Sequence, residues 1–188
     1  MKKQTEKLVL AISAGICHGK TLSAKHLIRL FYNDPAWKVY HIYQLRKGKL
    51  DPVVDLANFN VDNYLSRQGD CFVLFARKGE DRPVLAINTM GDIWNDPLKQ
   101  FYYEEVLPLT DIRVIVGACH SSFTANGVLC HLKDIAQRID AKLITTSPYY
   151  KMYPELPHTG HKGPVPIDVV ALNELYAEQQ KAFIERYV

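Results

Sequence analysis

The eight residues from Ala14 to Thr21, AGICHGKT, constrain this chain more than any other stretch. They follow an apolar run, Leu8 to Ile12 (LVLAI), and precede Leu22 to Phe31. In that second segment Leu22, Ala24, Leu27, Ile28 and Phe31 recur at roughly helical spacing. The order is therefore strand, tight loop, helix, the setting in which a Gly-x-x-x-Gly-Lys-Thr run acquires chemical meaning. Gly15 and Gly19 permit backbone conformations that turn amide N–H groups toward an anion. The start of the following helix adds unpaired N–H donors and the positive end of its dipole. Lys20 is placed to meet the β- and γ-phosphates of a nucleotide, and the Thr21 hydroxyl to ligate Mg²⁺. Ala14 stands where the usual pattern has its first glycine, with Gly15 one residue later. The expected nucleotide-binding set is Ala14, Gly15, Ile16, Cys17, His18, Gly19, Lys20, Thr21 and Leu22.

The rest of the chain reads as one domain over residues 1–188, long enough for a substantial core at 47% hydrophobic residues. A net charge of +3 is too mild to point to nucleic acid, and no block of Lys and Arg exceeds a few residues. No apolar run reaches the roughly 18 residues that would span a bilayer. The N-terminal MKKQTEKLVLAISAGIC superficially resembles a signal segment, but Ile16 precedes Cys17 where a small residue is needed, and a first strand explains the stretch better. The expected compartment is the cytoplasm, with the four cysteines reduced.

Asn33-Asp34-Pro35 ends the first helix, and WKVYHIYQL (Trp37 to Leu45) has the β-branched and aromatic content of a strand. A polar turn follows at residues 46–49. Asp51 to Gln68 has mixed periodicity and is expected to hold a short helix and a loop; its Asp51, Asp55 and Asp62 read as surface carboxylates. CFVLFA (Cys71 to Ala76) and VLAI (Val84 to Ile87) flank a polar turn and form a hairpin. The second strand runs into Asn88-Thr89-Met90-Gly91-Asp92, which makes Asp92, on a glycine-containing turn, the candidate acidic partner of Mg²⁺, with Thr89 able to contribute a hydroxyl. Pro97 to Leu107 is expected to be helical and closed by Pro108. Asp111 to Ala118 (DIRVIVGA) has the continuous apolar character of a buried parallel strand. It leads into Cys119-His120-Ser121-Ser122, where open α/β sheets place ligand-binding groups. Val128 to Ile139 is amphipathic, Lys142 to Thr145 (KLIT) is a short strand, and Asp168 to Tyr187 is a last helix with Asp168 as its cap. Tyr149 to Pro166 carries four prolines and reads as an irregular lid or interaction loop, with Lys151, His158, His161 and Lys162 facing phosphate or an acidic acceptor.

This alternation predicts an α/β fold, a three-layer sandwich around a mainly parallel sheet. At AGICHGKT the chain resembles the P-loop NTPase superfamily; LAINTMGD and DIRVIVGACHSS resemble, more loosely, small uncharacterised P-loop proteins of phages and mobile elements. The resemblance runs from about Leu8 to Tyr150 and is most specific at Gly19-Lys20-Thr21. It implies binding of ATP or GTP with Mg²⁺ held at Thr21 and Asp92. It also implies catalytic roles for Lys20, Asp92 and His120, His120 or Ser121 facing the γ-phosphate. Two landmarks of better-known relatives are missing from the sequence: an arginine-rich lid of the nucleoside monophosphate kinase type and an Asn-Lys-x-Asp motif for guanine.

Three classes follow. The first is an NTPase or small kinase-like phosphotransferase. The second is a nucleotide-binding regulator or partner protein, in complex or as a homo-oligomer, with little turnover. The third is a zinc protein, prompted by Cys17-His18, Cys119-His120 and Cys130-His131, but no C-x-x-C spacing occurs and adjacent strand residues point to opposite faces. The eleven tyrosines read as packing and loop anchors rather than base-stacking platforms.

Overall fold

A computed structural model describes residues 6–14, 19–56, 58–67, 69–91, 94–120, 127–148 and 167–188. Its seven strands form one sheet. They are β1 (Lys7–Ala14), β2 (Trp37–Arg46), β3 (Lys49–Pro52), β4 (Phe72–Arg77), β5 (Leu85–Asn88), β6 (Val114–His120) and β7 (Ala141–Thr146). The spatial order is β3-β2-β4-β5-β6-β1-β7. β1 is flanked on both sides by parallel neighbours, β6 and β7, and β6 is also parallel to β5. Seven of the eight residues of β1 are buried, which explains why it reads as an unbroken apolar run.

The sheet is not mainly parallel. Its other half, β3, β2, β4 and the β4–β5 junction, is antiparallel. Short turns account for β2–β3 and β4–β5, since strands so joined fold back on each other, and β4 also lies antiparallel to β2 after the chain has passed through β3 and α2. Lys47 and Gly48 both take positive φ, 49° and 77°, the geometry of a tight two-residue hairpin turn. The strand it creates, β3, was not expected: KLDP is short and polar, and three of its four residues are exposed.

Helices cover both faces. α1 (Lys20–Asn33), α2 (Val61–Arg67) and α5 (Ile167–Ile184) lie on one; α3 (Asp96–Lys99), the π-helical segment Gln100–Val106 that continues it, and α4 (Val128–Arg138) lie on the other. Alternation along β1 drives this layering. Leu8, Leu10 and Ile12 pack with Leu27, Ile28 and Phe31 of α1, whereas Val9 and Ala11 pack with Leu132 and Ile135 of α4. The three-layer α/β architecture therefore stands. α1 begins two residues earlier than its apolar spacing indicates, and Leu22 lies at the edge of the core rather than in it. The segment expected as an α-helix over 97–107 is π-helical in its second part, where Tyr102 turns into the core and meets Asn88. α5 extends from Ile167, ahead of the expected cap at Asp168.

Among the described residues no helix is long and apolar enough to cross a membrane.

Candidate functional site

Where the chains leaving two adjacent parallel strands diverge to opposite faces, a crevice opens at the strands' carboxyl ends. β1 and β6 are such a pair. β1 feeds α1 on one face, and the chain then travels to the antiparallel half of the sheet. β6 is followed by α4 on the other face and by β7, which lies beyond β1. In register, Ser13 stands beside Cys119 and Ala14 beside His120. The glycine-rich loop thus leaves β1 at the point where Cys119-His120 ends β6.

The far end of that loop is also fixed. Gly19 is the residue before α1, with φ 77° and ψ 4°, a left-handed conformation that costs an L side chain about 1–2 kcal/mol. A Cβ on Gly19 would lie 2.8 Å from Oδ1 of Asn173, a buried residue of α5. The same Oδ1 accepts a hydrogen bond from the Ser23 hydroxyl in the first turn of α1. Asn173 therefore walls the loop exit, and nothing in its sequence context marked it. Its only local signal is a polar residue on the buried side of an otherwise ordinary helix.

Lys20 is the first residue of α1 and is 6% exposed. Its ammonium group bears on Cys119 across the crevice. Burial pushes the Cys119 thiol up to about 11, against the opposing pull of a hydrogen bond with Ser13 and of the Lys20 charge. Cys119 is accordingly a neutral thiol in the crevice wall. The Thr21 hydroxyl donates to the carbonyl of Thr89, 3.3 Å away, at the end of β5. Thr89 is itself fully buried and doubly tied to Cys71: its amide donates to the Cys71 carbonyl at 3.0 Å, and its hydroxyl accepts from the Cys71 amide at 2.8 Å. These bonds hold the exit of β5 against the first turn of α1.

The following residues cross the end of β6. The His120 amide donates to the Gly91 carbonyl at 2.9 Å, and a Cβ on Gly91 would come within 2.5 Å of the carbonyl carbon and oxygen of Ala118. Only glycine allows so close a backbone crossing. His120 is partly exposed at the mouth of the crevice.

The structure thus brings Ala14, Gly19, Lys20, Thr21 and His120 to one end of the sheet, together with Thr89, Gly91 and Asn173. Leu22 sits one residue further along α1, half-buried. Gly15, Ile16, Cys17 and His18 lie outside the described residues, as do Asp92, Ser121 and the loop of residues 149–166. Asp55 and Asp62 are surface groups: Asp55 accepts from the Asn58 amide, and Asp62 pairs with Arg29 at 2.8 Å.

Among the described residues no three His, Cys, Asp or Glu side chains stand together as a metal cage. Mg²⁺ on a nucleotide asks for less, usually one or two protein oxygens beside phosphate and water. The Thr21 hydroxyl and the Thr89 carbonyl are hard oxygen donors 3.3 Å apart, and they fit that requirement. No family model, curated protein or solved structure matches the chain.

Proposed function

We propose that this protein binds a nucleoside triphosphate with Mg²⁺ and transfers its γ-phosphoryl group, to water or to an acceptor, as a member of the P-loop NTPase class. One observation carries the reading. Lys20 opens α1 directly after a left-handed Gly19, beside the carboxyl ends of β1 and β6, with Thr21 tied to the exit of β5. A buried lysine at a helix N-terminus in a sheet crevice is a combination suited to polyanionic phosphate.

The roles follow from position. Backbone amides at the start of α1 receive phosphate oxygens, and Lys20 neutralises charge on the β- and γ-phosphates. Thr21 holds Mg²⁺, with Asp92, which follows Gly91 in the chain, as the proposed acidic partner of its water shell. Mg²⁺, when bound, would supply positive charge that offsets the charge building on the phosphate oxygens. In the transfer an oxygen of water or acceptor forms a bond to the γ-phosphorus, and the bond to the β–γ bridging oxygen breaks. The electron pair of that bond leaves with the diphosphate. His120 at the crevice mouth is the proposed group facing the γ-phosphate and taking the attacking oxygen's proton. The proposed setting is cytoplasmic, where Mg²⁺ and nucleotide are at hand.

Lys20→Ala tests the reading. Loss of a charge-assisted contact of about 1.5–3 kcal/mol should weaken Mg-ATP or Mg-GTP binding by about 10- to 100-fold in calorimetry, with the circular dichroism spectrum unchanged. Equal affinity for both nucleotides in wild type and variant would end the phosphate-site assignment. Tight binding without turnover would favour the regulatory form of the same reading.

A further inference from the structure

Away from the crevice, the seam between the edge strand β7 and helix α5 holds a cleft of about 450 Å³. That size is within the range of small-molecule sites. Its walls are apolar at Leu10, Ile144 and Phe183 and polar at Thr146, Tyr176 and Gln180. Two of the polar groups already serve each other, since the Thr146 and Tyr176 hydroxyls are 2.8 Å apart. Gln180 differs. It is 5% exposed, and neither its Oε1 nor its Nε2 has a hydrogen-bond partner among the described residues. Buried carboxamides are nearly always satisfied, so one left wholly unpaired just behind the wall of a cavity, its oxygen and nitrogen both closed to solvent, calls for a partner.

The shape of that unmet demand selects the ligand. A carboxamide offers a donor and an acceptor side by side on one edge. A single trans peptide group cannot answer both, because its N–H and C=O point in opposite directions. A nucleobase presents donor and acceptor together on one planar edge, and glutamine pairs with such an edge in a bidentate manner. The aliphatic and aromatic walls then take the faces of the ring. We propose that the β7–α5 cleft is a nucleobase site, engaged when the Gln180 carboxamide rotates toward the ring.

This site is separate from the phosphate crevice. Asn173, beside Gly19, and Gln180 are seven residues apart on α5, about 10 Å along its axis. The next residue, Lys181, pairs with Asp34 beyond the far end of α1. A base bound at Gln180 therefore requires no phosphate and does not depend on Lys20.

Calorimetry with adenosine and guanosine, which carry no phosphate, tests the proposal on the full chain, Lys20→Ala and Gln180→Leu. At least one nucleoside should bind the wild type, bind Lys20→Ala equally, and bind Gln180→Leu at least 10-fold more weakly. The Gln180 side-chain amide resonances should also shift on titration of the wild type. If Gln180→Leu loses its folded circular dichroism spectrum, Gln180→Glu, which keeps the shape and removes the donor, should show the same weakening. The proposal fails if neither nucleoside binds the wild type at millimolar concentration, or if either Gln180 variant that folds binds as the wild type does. It also fails if binding is lost in Lys20→Ala and kept in Gln180→Leu, which would put the base in the phosphate crevice.

Discussion

Gly19→Ala is the substitution whose cost can be worked out most directly, because two separate penalties meet at one atom. The first is conformational. At φ 77° an alanine Cβ crowds its own backbone, a strain of about 1–2 kcal/mol. The second is a contact. The added Cβ would stand 2.8 Å from Oδ1 of Asn173, 3.2 Å from its Nδ2 and 3.3 Å from its Cγ. Asn173 cannot swing aside without giving up its bond with Ser23, a loss of about 0.5–1.5 kcal/mol. The total expected destabilisation is about 1.5–3.5 kcal/mol, or roughly 3–14 °C in Tm for a chain of this length. A double-mutant cycle separates the parts. In an Asn173→Ala background the contact disappears and Gly19→Ala should cost only the conformational part, leaving a coupling of at least about 0.5 kcal/mol. Urea unfolding followed by circular dichroism on all four proteins measures it. A Gly19→Ala cost below about 0.5 kcal/mol would refute both the left-handed conformation and the wall, and additive single effects would refute the Asn173 wall.

Two other outcomes follow from the same region. Thr89→Val keeps volume but leaves the buried Cys71 amide without its 2.8 Å acceptor, so stability should fall by about 1–3 kcal/mol in chemical denaturation; an unchanged midpoint would contradict the described tie between β4 and β5. Burial pushes the thiols of Cys71 and Cys119 up to about 11, above their value in the unfolded chain. Between pH 9 and 10 the unfolded state therefore loses thiol protons that the folded state keeps, and stability should decline with rising pH by up to about 1.4 kcal/mol per pH unit for each thiol. Denaturant midpoints of the wild type and of Cys119→Ala across that window check it, and an equal slope in both would remove Cys119 from the account.

How far the sequence alone carries depends on whether a residue's role is local. The β1–loop–α1 unit was legible because apolar run, glycines, lysine and helical spacing all fall within 25 residues of one another. The β4–β5 hairpin and β6 were legible for the same reason. β3 was not, since KLDP owes its strand to a turn at Lys47–Gly48 and to pairing with Tyr43–Arg46 rather than to its own composition. Nor was the proportion of antiparallel pairing, which depends on where β2 lands in the sheet and not on any motif within it. Lys20, Thr21 and His120 were singled out by type and spacing, and the structure places all three at one end of the sheet. Thr89 was visible only as a hydroxyl beside Asp92, whereas it is its carbonyl that meets Thr21, 68 residues away; Asn173 was missed because its partner Ser23 lies 150 residues away along the chain. Gly91 was visible only as a turn residue, whereas its real constraint is the backbone of Ala118.

The 150-residue separation between Ser23 and Asn173 has a consequence for biosynthesis. A ribosome releases β1, the glycine-rich loop and α1 long before it reaches α5. At about 5–20 residues per second, roughly 10–30 s pass before the wall of Gly19 exists. During that interval the first turn of α1 is without its Ser23–Asn173 bond, and the apolar strip formed by Leu27, Ile28 and Phe31 is without the cover of Tyr176, Ala177 and Ile184. Over that interval the proposed phosphate site lacks its Asn173 wall. The wall that Asn173 sets beside Gly19 is complete only once α5 has emerged.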